Sequence, residues 1–176
     1  MTRRTSARSL SLLGLLALTA CVVNLSFEMK KTIPVKTDPA APNTIAQNVL
    51  VDLGTYREVT EHKNQIKSLD LDYAEATIVT VNSGNTATKV TGSLKLRKSL
   101  TDATHDIKVG DLTAFPIQVG QTKRLAGTPE LDAFLLQQLQ TEGKFYAVVD
   151  GTVDGVADIV LNVDLHSSIG YEAGVF

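Results

Sequence analysis

One cysteine, three histidines and no tryptophan leave this 176-residue chain little of the usual equipment of catalysis and metal binding. A lone Cys21 excludes an intramolecular disulfide and any thiolate cluster. None of His62, His105 and His166 has a second histidine or a cysteine at metal-ligand spacing, so all three read as solvent-facing or boundary imidazoles. With five Phe, four Tyr and no Trp, a stacking platform for sugars is thin. Tyr73, Tyr146 and Tyr171 would cluster only if their strands were neighbours; otherwise each rims the core. There is no Gly-x-Ser-x-Gly elbow, no His-Glu-x-x-His pair and no phosphate-cradling glycine loop, so Ser93, Ser99, Ser167 and Ser168 read as ordinary hydroxyls. No cofactor is implied. Asp150, Asp154 and Asp158 recur around a Gly-rich turn and are the weak candidates for a cation. Their spacing puts Thr152 where an EF-hand needs an oxygen donor, so turn and strand chemistry accounts for them better.

Basic charge is also short, with 17 Lys and Arg against 19 Asp and Glu. Three of the basic residues, Arg3, Arg4 and Arg8, lie in the first eight positions, and no acid precedes Cys21. Removing 20 of 176 residues therefore leaves 14 basic against 19 acidic side chains, a net charge of −5 on 156 residues. That acidic balance excludes nucleic acid or an anionic lipid surface as the main partner, since both demand basic patches. The length suits one domain with its own core.

What the N-terminus does have is a basic start followed by the apolar run Leu10–Leu18, the two-part opening of an export signal. A span needs about 20 apolar residues, and this run meets small residues well before that. The Arg3–Arg4 pair suggests twin-arginine export, but Thr5-Ser6-Ala7-Arg8 lacks an apolar pair behind it, which favours export of the unfolded chain. Leu18-Thr19-Ala20-Cys21 resembles the lipobox of bacterial lipoproteins: a branched apolar residue, two small residues and a cysteine. That resemblance implies cleavage after Ala20, acylation of Cys21 and a membrane anchor of two or more chains, which holds stably where one holds marginally. Apolar Val22, where an aspartate would favour retention in the inner membrane, implies an outer membrane address facing the periplasm. Residues 1–20 are thus expected to be a signal and residues 21–176 one domain.

Along that domain, Val23, Leu25, Phe27, Met29, Ile33 and Val35 mark a half-buried strand by their period of two. Lys36 to Asn43 reads as a loop and Ile45 to Leu53 as a short strand. Thr55-Tyr56-Arg57-Glu58 fits a capping box opening a helix of about three turns. Leu69–Val81 and Thr88–Leu96 read as an antiparallel hairpin about Asn82-Ser83-Gly84-Asn85. Ile107–Val109 and Ala114–Val119 are two short strand candidates, the second confined by Pro116 to an edge or bulge. Thr128-Pro129-Glu130 starts a second helix on Leu131, Phe134, Leu135 and Leu139, and Gly143 ends it. Lys144–Val153 and Val156–Ile169 read as a hairpin about Asp154-Gly155. The tally of seven or eight short strands and two short helices predicts a mainly β fold, an antiparallel β-sandwich immunoglobulin-like in outline. The two helices have no place in a membrane barrel.

This order of elements is similar to that of small β-sandwich lipoproteins of unknown function, a likeness no motif carries. The expected role is a non-enzymatic binding or assembly module, anchored through Cys21 beside an envelope protein partner. The alternatives are a carrier or sensor of a lipid or other apolar ligand, with the second helix over an opening between the sheets, and a hydrolase of unrecognised type. A cleft gathering His105 or His166 with two carboxylates would favour the last.

Overall fold

The computed structural model describes residues 21–173 apart from Pro39. The expected signal, its cleavage position Ala20, the last three residues and the Cys21 side chain lie outside the described residues. Eight strands form, β1 (Cys21–Lys36), β2 (Thr44–Asp52), β3 (Ile66–Val81), β4 (Lys89–Arg97), β5 (Ile107–Pro116), β6 (Thr122–Ala126), β7 (Lys144–Val153) and β8 (Asp158–Ala173). Helix α1 (Arg57–His62) precedes β3 and α2 (Pro129–Gln140) precedes β7. The strands make two four-stranded antiparallel sheets, ordered β1-β8-β3-β6 and β2-β7-β4-β5. The fold is a β-sandwich, as the alternation predicts. Its strand order departs from the immunoglobulin-like outline, which pairs the first two strands in one sheet; here they lie in opposite sheets, and the order is that of a jelly roll, two interleaved Greek keys.

Period-two alternation fills the space between the sheets. Met29, Ile33, Leu69, Ile78, Leu94, Leu96, Phe145 and Leu165 are fully buried there, each contributing about 1.5–3 kcal/mol relative to exposure. Thr128 caps α2 by accepting the Leu131 N–H, and Pro129 occupies its first turn. From that start Leu131, Phe134, Leu135 and Leu139 are buried against the core.

Both expected hairpins are corrected. β3 and β4 lie in opposite sheets, as do β7 and β8, and among the eight strands only β4 and β5 are both consecutive and paired. Asn82-Ser83-Gly84-Asn85 and Asp154-Gly155 do reverse the chain, but as bridges between sheets that brace each other: Thr86 and Ala87 N–H donate to Val156 O, and Asn82 N–H to Asp158 O. The expected pair of strands between 107 and 119 is one irregular edge strand, β5. Its register shifts across Gly92↔Leu112 and Val90↔Phe115, and Ala114 takes a positive φ of 46° there. The expected capping box does not form. Asp52 accepts the Gly54 N–H and opens a 3-10 turn over Leu53–Thr55, while Thr55 donates to Asp52 O. Helix α1 consequently starts at Arg57 with six residues and no side-chain cap.

Register fixes what lies at each end. Cys21 pairs with Ala173, Ile66 with Tyr171, Asp52 with Lys144 and Arg97 with Tyr146. The end of the sandwich where Cys21 sits therefore also carries α1, the 98–106 segment and α2, which crosses from β6 to β7 and closes the core there. The turns between β1 and β2, β3 and β4, β5 and β6, and β7 and β8 occupy the far end.

Candidate functional site

A cleft of about 330 Å³ opens at the Cys21 end between α2 and the 98–106 segment. Its walls are Ile107 and Phe134, and its polar groups belong to Lys98, Asp102, His105, Gln137 and Gln138. The segment is held at its base by Arg97, which donates to both carboxylate oxygens of Asp106 at 2.6 and 2.7 Å with both side chains largely buried. Such two-pronged pairs fix direction as well as distance. Within the segment Asp102 N–H donates to Ser99 O, and the Asp102 carboxylate accepts from Thr104 Oγ1 at 2.6 Å. His105 Nδ1 lies 2.7 Å from Asp102 Oδ2. Thr104 and His105 hold the Asp102 carboxyl down at about 2, so it is ionised throughout the neutral range. Gln138 is only 1% exposed, and its Oε1 accepts no hydrogen bond from the described residues. An amide oxygen desolvated in this way without a donor costs about 1–3 kcal/mol.

A second, shallower depression of about 340 Å³ lies on the outer face of the first sheet, where Glu28, Asp72, Tyr73, His166 and Ser167 meet. One line of side chains crosses all four strands there. Glu28 on β1 sits 3.6 Å from His166 Nε2 on β8, His166 stacks on Tyr73 of β3 at 4.2 Å, and Arg124 of β6 lies over the Tyr73 ring at 3.9 Å. This does gather a histidine with two carboxylates. No serine hydroxyl hydrogen-bonds the His166 ring among the described residues, however, and a nucleophile needs that contact to be activated. Beside the line, Asp164 is 7% exposed and paired with Lys30 at 3.4 Å, and its Oδ1 has no partner. Burial pushes its carboxyl up from the ordinary value against the pull of Lys30.

The remaining sequence candidates are dispersed. Asp150 accepts from Ser93 and Lys95, Asp154 from Thr88 and the Lys89 N–H, and Asp158 from Asn82 while facing Lys36. Each carboxylate thus serves its own strand or turn, and no group of three or more His, Cys, Asp or Glu gathers to hold a metal among the described residues. His62 stacks on Tyr171 at 3.8 Å, and Tyr146 lies in the other sheet from Tyr73 and Tyr171, so the tyrosines form no cluster. Between the sheets the void lined by Val35, Ile78, Leu112, Phe115 and Leu161 measures about 10 Å³, room for about one water. Helix α2 is packed into the core rather than placed over an opening.

No family model matches this chain. No curated protein matches it either. Solved structures similar to it include the decameric BFDV capsid protein, 12% identical with a TM-score of 0.39 over 86% of this chain and 99% of that one. Desmodium yellow mottle tymovirus is another, 9% identical with a TM-score of 0.37 over 100% of this chain and 96% of that one. At these scores neither fold nor function is transferred from them, and the jelly-roll winding rests on strand order alone. None of the comparisons indicates an enzyme family.

The sequence alone does not mark Gln138 or Phe134 as site residues. Phe134 carries the signature of a core residue, and the one sign of Gln138 is its spacing, three and four residues after Leu135 and Phe134 on the buried face of α2. His105 is where the sequence places it, in a polar loop, and only the fold brings α2 beside it.

Proposed function

We propose that this chain is a lipid-anchored envelope lipoprotein whose sandwich serves as a non-enzymatic binding or assembly module, held by acyl groups on Cys21 after cleavage at Ala20. The observation that carries the reading is that the residues directly after Cys21 already stand in the ladder, Val22 opposite Glu172 and Val23 opposite Tyr171, so a chain cut after Ala20 would keep all eight described strands. No helix among the described residues is long and apolar enough to cross a membrane. Val22 adds the outer membrane address, with the domain facing the periplasm and an envelope protein as partner.

Cells grown on labelled palmitate should yield a labelled product, and Cys21→Ser should abolish the label and release the domain from the membrane fraction. An unlabelled wild-type product, or a serine variant that sediments with membranes as before, would overturn the reading.

A further inference from the structure

We propose that the cleft between α2 and the 98–106 segment receives the primary-ammonium headgroup of a zwitterionic phospholipid in the bilayer to which the chain is anchored. The inference rests on the anchor proposed above and adds a ligand class to it.

Position is the first argument. The cleft lies at the Cys21 end, where Val22, next to the anchor point, already stands in the ladder opposite Glu172. The same end presents exposed Leu100 at the tip of the segment and exposed Val22 beside the anchor point. Apolar side chains of this kind enter the boundary between headgroups and acyl chains.

The donor and acceptor inventory is the second. Gln138 Oε1 is a buried acceptor without a donor, and Asp102 on the opposite lip is a fixed negative charge. A primary ammonium supplies three N–H donors and a positive charge, which answers both. A quaternary ammonium has no N–H and answers only the charge. Lys98, half-exposed and 3.8 Å from Glu142, is free to turn to a phosphate. His105 spends its Nδ1–H on Asp102, so the neutral ring offers the phosphate no proton and Lys98 is the phosphate's partner. Ile107 and Phe134 suit the glycerol and first methylenes. A net-acidic domain gains nothing from an anionic surface, whereas a zwitterion matched end to end by Asp102 and Lys98 costs no net charge.

The test uses the lipidated full-length protein in two kinds of vesicle of equal net charge: equal parts of phosphatidylethanolamine and phosphatidylglycerol, or of phosphatidylcholine and phosphatidylglycerol. Amide hydrogen exchange over residues 98–107 and 129–141 should be slower by about fivefold in the ethanolamine vesicles, the scale of one net ammonium–amide hydrogen bond. Gln138→Leu, which keeps the helix and the packing, should abolish the difference, and exposed Lys98→Met should lower the protection in both vesicles alike. Equal exchange in both vesicles overturns the proposal, as does a difference that survives Gln138→Leu. Protection that appears only when other envelope proteins are added overturns it in favour of a peptide occupant. Glycerophosphoethanolamine in water separates the two readings. A lipidated chain that ignores it and both vesicles sinks the cleft and leaves the anchor, whereas an unlipidated chain whose cleft responds to it sinks the anchor and keeps the cleft.

Discussion

Gly127→Ala should be among the most damaging small substitutions in this protein, because the atom it adds has nowhere to go. A Cβ at Gly127 would sit 1.5 Å from Leu71 O and 2.6 Å from Leu71 C, and both are backbone atoms of β3. Side chains can rotate away from such a contact, but a strand held on both flanks cannot, so the chain leading into α2 must lift off β3. Two hydrogen bonds cross that gap: Gly127 N–H to Asp72 O at 3.1 Å and Leu71 N–H to Asp132 Oδ1 at 2.8 Å. Overpacking costs about 1–3 kcal/mol, and the pair of bonds, one of them to a charged acceptor, about 2–4 kcal/mol. The sum, about 5 kcal/mol, is a large part of the 5–15 kcal/mol typical of a domain. For this size it corresponds to a melting point lower by about 10–20 °C. Thermal and urea unfolding followed by circular dichroism read it directly. Gly120→Ala is the control: its φ is +83° but nothing lies within 4 Å of the added atom, so only backbone strain of about 1 kcal/mol is expected. A loss at position 127 no greater than at position 120 would refute the claim that this close approach docks α2.

Three further outcomes are expected. Asp164 binds its proton more tightly in the folded chain than in the unfolded one, so its contribution to stability is full below 3.8 and is lost as pH rises through the raised value. Asp164→Asn should therefore flatten the pH dependence of the urea midpoint above 3.8 and leave the variant no less stable than wild type at pH 7; a midpoint lowered equally at every pH would contradict this. Arg97→Met leaves Asp106 buried and unpaired at the base of the cleft segment, and calorimetry should find about 3–5 kcal/mol lost. Inserting about ten Gly and Ser residues between Cys21 and Val22 gives a tether of about 17 Å. The vesicle protection of residues 98–107 should then fall several-fold while the response to soluble glycerophosphoethanolamine is unchanged.

The sandwich, its strand positions and the start of α2 are legible because each is local: period-two alternation marks Leu69–Val81, and Thr128-Pro129 marks a helix start. Strand partners are not local. Asn82-Ser83-Gly84-Asn85 states that the chain turns, and the same residues serve a hairpin or a bridge between sheets; here Thr86, Ala87 and Val156 decide for the bridge. The error repeats at Asp154-Gly155 for the same reason. Thr55 and Glu58 have capping-box spacing, yet Asp52 three residues earlier takes the first free N–H and starts the turn ahead of them. The cleft was hidden because its two walls, residues 98–107 and 134–138, are far apart in sequence. The signal that could have pointed to it is a glutamine flanked at three or four residues by Phe134, Leu135 and the chain toward Thr141, a polar residue on a buried helix face.

A cleft this open, with Asp102 already engaged by Thr104 and His105, is not built for tight binding of a free headgroup in water. It does not need to be. On the proposed reading, an anchor on Cys21 would confine that end of the sandwich to the surface of the bilayer, where headgroups are present at concentrations no solution experiment reaches. Tethering converts the second contact into an intramolecular one, whose strength depends on the reach of the tether as much as on the contact itself. A sandwich hung on a long polar linker would sample that surface rarely and would need a deep pocket to stay there. One that begins at Cys21 can hold its orientation with a handful of weak contacts. Fixing that orientation would turn the far-end turns away from the membrane and present the flanks of both sheets, including the Glu28–His166–Tyr73–Arg124 line, to whatever the envelope places beside them.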